Sequence, residues 1–166
     1  MQINVLVTLD SKYIRPLKVM LVSLFMNNPA EDFHIYLLHS SIKDDEIADI
    51  EKSIAGHGQK LFAVRIDNRY FQHAPVILHY TKEMYYRLLA YKFLPEEPDR
   101  ILYLDPDILV INPVRDFYDT ELDGYLFAAA YHNLIAVKRI NRIRLYPYKI
   151  NAYFNSGVLL MNLELH

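Results

Sequence analysis

Short apolar runs alternate along this chain with segments whose apolar residues recur every three or four positions. Val5, Leu6 and Val7 form the first run, bounded by Asp10-Ser11, and a run closed by a polar loop predicts a buried strand. Pro16 stands where a first helical turn tolerates it. Leu17, Met20, Leu21 and Leu24 follow at helical spacing, up to the stop Asn27-Asn28-Pro29. Phe33 to Leu38 predicts a second strand. Ser41 is placed to cap a second helix. Asp44, Asp45 and Glu46 lie near the positive end of its dipole, and Ile47, Ile50 and Ile54 form its buried face. Gly56 to Gly58 ends that helix, and Leu61 to Ile66 predicts a third strand. The order β-α-β-α-β calls for a mainly parallel sheet with helices on its faces.

From Asn68 to Tyr80 the chain is irregular, polar and aromatic. Thr81 is expected to cap a third helix with Met84, Leu88 and Tyr91 on one side, stopped by Pro95 and Pro98. Ile101 to Leu104 predicts a fourth strand, which meets Asp105-Pro106-Asp107 and resumes as Ile108 to Ile111 before Asn112-Pro113. Tyr125 to Ala130 and Ser156 to Met161 predict the last two strands. No repeat, low-complexity tract or linker interrupts the pattern. The 166 residues therefore read as a single α/β domain, long enough to hide about two-thirds of its unfolded surface.

Composition narrows the function classes. Apolar residues make up 52% and charged residues 23%, which excludes disorder as the main state. The formal net charge of −2 argues against holding nucleic acid by bulk charge. Without cysteine there is no disulfide framework, zinc–thiolate site or cysteine nucleophile. A reducing, cytoplasmic location is compatible with that and is the expected one. No apolar run approaches the roughly 20 residues that span a bilayer. Met1-Gln2-Ile3-Asn4 leads into a strand with no basic segment, so no signal peptide is expected.

The sharpest chemical signal is Asp105-Pro106-Asp107 after an apolar strand. In open α/β sheets ligands bind beyond the carboxyl ends of the strands. Two carboxylates there can share a hard divalent cation that keeps positions for water and phosphate oxygens. The same tripeptide also suits a plain polar turn, though its strongly apolar flanks weaken that reading. Asp10 follows the first strand and should reach the same edge, where it could accept hydrogen bonds from a base or ribose; capping the next helix is its simpler role. Arg87 lies among Tyr85, Tyr86, Leu88 and Leu89. It could pair with a phosphate or a site carboxylate, or snorkel at the rim of the core.

Asn155-Ser156-Gly157 precedes the last strand. It offers an amide for sugar hydroxyls and a glycine open to close approach, or it is an ordinary turn. His79 could touch a phosphate or be a surface histidine, and the histidines show no metal-ligand spacing. The basic stretch from Lys138 to Lys149 could cover an anionic ligand or make peripheral contact with a membrane; a solvated face is the default.

Four ordered pieces resemble glycosyltransferase family 8, whose members include bacterial lipopolysaccharide galactosyl- and glucosyltransferases and glycogenin. Val7-Thr8-Leu9-Asp10 with Tyr13 resembles the family's nucleotide loop. Tyr85-Tyr86-Arg87-Leu88 resembles its helix with a phosphate-side arginine. Leu102 to Val110 resembles its metal motif, and Tyr153 to Asn162 resembles the strand beside the donor sugar. The resemblance implies a GT-A fold, with a Rossmann-like, mostly parallel sheet. It implies UDP-glucose or UDP-galactose as donor, Mn²⁺ or Mg²⁺ as cofactor, transfer with retention to a saccharide or related acceptor, and a place in lipopolysaccharide biosynthesis. Carried over, Asp105 and Asp107 would ligate the metal and Thr8 and Asp10 would contact uridine. His79 and Arg87 would lie along the donor, and Asn155 and Gly157 would approach the sugar. Arg87 and Asn155 are then the catalytic candidates.

The family continues past this length, and its third metal ligand has no counterpart here. The chain is thus expected to be the N-terminal, donor-binding portion of such an enzyme, truncated at the C-terminus. The alternative is a vestigial module that binds a UDP-sugar without transferring it. A metal-dependent nucleotidyltransferase would call for an early Gly-rich phosphate loop, and none of the 4 glycines precedes Gly56.

Overall fold

A computed structural model of the chain describes residues 2–71, 83–95, 98–131, 147 and 154–165. His79, Thr81 and, apart from Pro147, the basic stretch from Lys138 to Lys149 lie outside the described residues. Among the described residues six strands form one sheet: β1 (Gln2–Thr8), β2 (Asp32–His39), β3 (Lys60–Arg65), β4 (Arg100–Leu104), β5 (Phe127–Tyr131) and β6 (Phe154–Asn162). Their spatial order is β3-β2-β1-β4-β6-β5. β1 pairs in parallel with β2 and β4, and β2 with β3, while β6 runs antiparallel to both β4 and β5. The mostly parallel sheet expected from the β-α-β-α-β order is thus present.

Side chains alternate across a strand, so each buried strand feeds two cores. On one face Val5 and Val7, Ile35 and Leu37, and Leu102 and Leu104 pack with two helices. These are α1 (Ile14–Asn27), through Leu17, Met20, Leu21 and Leu24, and α2 (Asp44–Ala55), through Ile50 and Ile54. On the other face Leu6, Tyr36, Leu38, Ile101, Tyr103 and Met161 pack with Phe71, Tyr86, Ala90 and Leu94. Coverage on both faces explains why β1 and β2 read as nearly unbroken apolar runs. β3, at the edge, is half exposed along its length.

Three local expectations are corrected. Ile108 to Ile111 does not resume as a strand. Its backbone is satisfied instead by side chains of α1: the Val110 N–H donates to Ser23 Oγ (3.0 Å), and Asn27 Nδ2 donates to the Val110 carbonyl (3.0 Å). The Val114 N–H donates to Asn28 Oδ1 (2.8 Å). The α2 helix starts at Asp44 rather than being capped by Ser41. The side chain of Glu46 reaches back to the Lys43 N–H (3.0 Å) and also accepts from Ser11 Oγ (3.0 Å), the reach-back half of a capping box. Within the described residues the third helix is the turn α3 (Glu83–Tyr86), followed by a 3₁₀ turn Arg87–Lys92 with a break at Leu89. In a 3₁₀ turn, residues three apart share a side. That turns Arg87 and Ala90 inward and leaves Leu88 56% exposed rather than on the buried face.

Two predictions follow from these contacts. Asn28 is buried and its amide also donates to the Leu24 carbonyl (2.8 Å), so Asn28→Ala orphans the Val114 N–H. The expected loss is about 1–3 kcal/mol, read from urea unfolding. His39 is buried, and its Nδ1 accepts from the Ile42 N–H (3.2 Å). Burial, aided by Arg65 and opposed by Asp44, holds its pKa below the usual 6.5. The unfolded chain then binds its proton first as pH falls. Stability is full above pH 6.5 and drops as pH falls below it, until the folded-state pKa is passed. Melting curves between about pH 8 and 5 should show that slope, and His39→Gln should reduce it.

Candidate functional site

The strand order creates a switch point. The chain winds outward from β1 through β2 to β3, then returns to the other side of β1 as β4. Loops leaving β1 and β4 therefore diverge, opening a crevice at their carboxyl ends. The parallel register sets Val5 beside Leu102 and Leu6 beside Tyr103. Followed onward, it leads to Thr8 at the end of β1 and Asp105 just past β4.

A hydrogen-bonded cluster fills this position. The Tyr103 hydroxyl donates to Asp105 Oδ1 (2.5 Å), and Arg87 Nη1 donates to the same oxygen (3.1 Å). Arg87 Nη1 also donates to the Ser156 carbonyl (2.7 Å), and the guanidinium lies 4.8 Å from the centre of the Tyr103 ring. Thr8 Oγ1 meets the Tyr103 hydroxyl at 3.4 Å. The Arg87 side chain is 7% exposed and that of Asp105 32%. Burial pushes the Tyr103 hydroxyl well above its ordinary pKa, Arg87 opposes this, and Asp105 adds to it. The phenol therefore keeps its proton at neutral pH.

Asp105 is also fixed from β6. Its N–H donates to the Gly157 carbonyl (2.8 Å). A Cβ at Gly157 would stand 2.5 Å from Asp105 Oδ2 and 3.2 Å from Asn155 Oδ1. The close approach that makes residue 157 a glycine is thus that of the Asp105 carboxylate. Asn155 Oδ1 accepts from the Gly157 N–H (2.8 Å), and the Asn155 side chain is exposed. Both residues lie inside β6 rather than in a turn before it. The strand begins earlier than expected because Phe154 pairs with Tyr131 of β5.

The structure therefore brings together Thr8, Arg87, Asp105, Asn155 and Gly157. Of the two readings of Arg87, the carboxylate pair is the one observed. Asp10 lies just past β1, where Oδ1 accepts from the Lys12 N–H (2.9 Å) and caps the turn Ser11–Tyr13. Asp107 is exposed in the turn after β4. His79 is outside the described residues. Tyr103 is the member that sequence reasoning missed. The signal was present: residues two apart on a strand share a face, so Tyr103 points the way of Asp105, and a phenol in a buried strand needs a partner.

The donor set suits a hard divalent cation, since carboxylate oxygens select Mg²⁺ or Mn²⁺ over softer metals. Oδ1 of Asp105 is occupied by two protein donors, while Oδ2 accepts from none of the described residues. No group of three or more His, Asp or Glu side chains is placed to hold a metal ion among the described residues. A cation here would draw on Asp105 and Asp107, with oxygens from ligand and water completing its shell. Arg87 also lines an apolar hollow of about 570 Å³ with Leu88, Tyr125, Phe127, Phe154 and Leu159.

The six-stranded sheet with its flanking helices has the GT-A fold of glycosyltransferases. The galactosyltransferase LgtC, solved in complex with donor and acceptor sugar analogs, matches with a TM-score of 0.88 at 24% identity, over 98% of this chain and 59% of that one. The chain belongs to glycosyl transferase family 8, whose family model matches residues 4–166. General stress protein A of Bacillus subtilis (strain 168) is 27% identical over 93% of this chain and 54% of its own length. Lipopolysaccharide 1,2-glucosyltransferase of Escherichia coli (strain K12) is 26% identical over 98% of this chain and 48% of its own length. The chain spans about half the length of these curated relatives.

Gly157→Ala should drive a methyl group into the Asp105 carboxylate. We expect a loss of about 1–3 kcal/mol in urea unfolding, with a shifted Asp105 backbone amide resonance.

Proposed function

We propose that this chain supplies the donor site of a metal-dependent, retaining hexosyltransferase that uses UDP-glucose or UDP-galactose and glycosylates a saccharide or related acceptor. The observation that carries the reading is the Asp105 carboxylate, oriented by Arg87 and Tyr103 at the switch point and followed by Asp107 two residues on. Relatives named as lipopolysaccharide 1,2-glucosyltransferase and lipopolysaccharide 1,3-galactosyltransferase support a hexosyl donor and a lipopolysaccharide-type acceptor. The absence of cysteine fits a cytoplasmic setting.

In this reading Asp105 and Asp107 hold Mn²⁺ or Mg²⁺, and the cation supplies Lewis-acid stabilisation of the diphosphate as a leaving group. Arg87 keeps Asp105 in place and adds fixed positive charge beside the developing anion, in a partly buried setting where charges are weakly screened. Thr8 and Asp10 at the end of β1 receive the uridine, and His79 lies along the donor. Asn155 presents its amide Nδ2 to sugar hydroxyls, while Oδ1 is engaged by the Gly157 N–H.

A thermal shift with UDP, with and without Mn²⁺, tests the reading. Ligand at about 100 times its Kd adds about 2.7 kcal/mol, or roughly 5–10 °C in a domain this size. We expect a larger shift with UDP and Mn²⁺ together than with UDP alone, and the metal-dependent part is lost in Asp105→Ala/Asp107→Ala. No shift in the wild type overturns the donor site, and an equal shift in the double variant overturns the metal role. Release of hexose from UDP-glucose or UDP-galactose then separates transfer from binding alone.

A further inference from the structure

We propose that Tyr103 is a positioning residue for the metal-binding carboxylate: its hydroxyl fixes Asp105 Oδ1 and leaves Oδ2 as the oxygen that meets a divalent cation. The proposal rests on the reading of Asp105 as a metal ligand. It starts from a count of protons. A tyrosine hydroxyl has one proton, and an ionised carboxylate can only accept. At 2.5 Å from Asp105 Oδ1, that proton belongs to the Asp105 bond. Thr8 Oγ1, 3.4 Å from the same hydroxyl, is then the donor to Tyr103. The hydrogen bonds run in one direction, from Thr8 through Tyr103 to Asp105.

Tyr103 is held to do this. It is 1% exposed, and its ring lies under the Arg87 guanidinium at 4.8 Å. Arg87 reaches the same carboxylate oxygen from another side at 3.1 Å. Two converging donors saturate Oδ1 and set the rotation of the carboxylate. Partners that orient a metal ligand in this way typically change metal affinity by 10–100-fold when removed. A tyrosine that merely filled the core would be replaced by phenylalanine with no effect on metal binding. The chain of bonds also ties the end of β1, where the nucleoside is expected, to the carboxylate that holds the cation.

The test is Mn²⁺ titration of the 166-residue chain with UDP present, followed by the electron paramagnetic resonance signal of free Mn²⁺. Tyr103→Phe keeps the ring and removes the hydroxyl. We expect Mn²⁺ affinity about 10-fold weaker, while UDP affinity in EDTA stays within about 2-fold and the ligand-free chain remains folded by circular dichroism. Thr8→Val removes the donor to Tyr103 together with a hydroxyl expected at the uridine, so the titration is run at saturating UDP, where the variant should weaken Mn²⁺ by a smaller factor. Adding it to Tyr103→Phe should weaken Mn²⁺ no further. A folded Tyr103→Phe with wild-type Mn²⁺ affinity overturns the proposal and leaves the metal site standing. Should Tyr103→Phe fail to fold, Thr8→Val with unchanged Mn²⁺ affinity overturns it. A wild type that binds UDP but no Mn²⁺ overturns the metal reading and the proposal together.

Discussion

A carboxylate placed at the end of a strand buried on both faces has to be matched where it stands. Asp105 occupies that place, and the match is Arg87, whose side chain is only 7% exposed. Each group makes the other tolerable, since an unpaired charge at either position would bear the full cost of its desolvation. Arg87 also binds the Ser156 carbonyl. One guanidinium thus ties the 3₁₀ turn, the end of β4 and the start of β6. Such a pair adds little net stability, but it is selective about geometry. A one-residue slip between β4 and β6 would put a side chain where Gly157 now admits the Asp105 carboxylate. The ion pair and the glycine together fix the register of the antiparallel pair that borders the crevice.

The first half of the fold was legible because its pattern is dictated by burial. β1 and β2 are covered on both faces and read as apolar runs, while α1 and α2 are covered on one side and read with helical period. What escaped was decided by tertiary contacts. Ile108 to Ile111 alternates like a strand, with Leu109 and Ile111 exposed and Val110 buried. Among the described residues no strand pairs with it, and the side chains of Ser23 and Asn27 take that role. The segment from Arg87 to Lys92 has the composition of an α-helix, but it winds as a 3₁₀ turn that carries Arg87 inward.

The site was legible in part for a related reason. Asp105 and Asp107 stand out as charge closing an apolar run. Arg87 is unusual among aromatic neighbours, and its inward turn resolves the ambiguity. Tyr103 did not stand out, because tyrosine is at home in a strand core and only the register with Leu6 shows Thr8 and Asp105 on either side of its hydroxyl. Gly157 has a protein neighbour that the sequence did not show. Its missing side chain makes room for a carboxylate that lies 52 positions earlier in the chain, by subtraction of the two residue numbers.

The acidic turn is held from opposite layers of the molecule. Asp105 is anchored on the face where Tyr103 packs with Tyr86 and Ala90. The chain just beyond Asp107 is anchored on the other face, where Ser23, Asn27 and Asn28 of α1 hold Val110 and Val114. Arg115 extends that hold through its ion pair with Glu31, which draws the Glu31 carboxyl below the usual carboxylate range. Asp107 itself stays exposed and accepts no hydrogen bond from the described residues. One carboxylate is therefore rigid, and the other hangs from a rigid frame. In the proposed metal site, rigidity in the first would fix where a cation sits, and exposure of the second would let the shell close around a ligand's oxygens. The relative placement of the two groups is set by both layers of the fold rather than by the Asp-Pro-Asp turn alone.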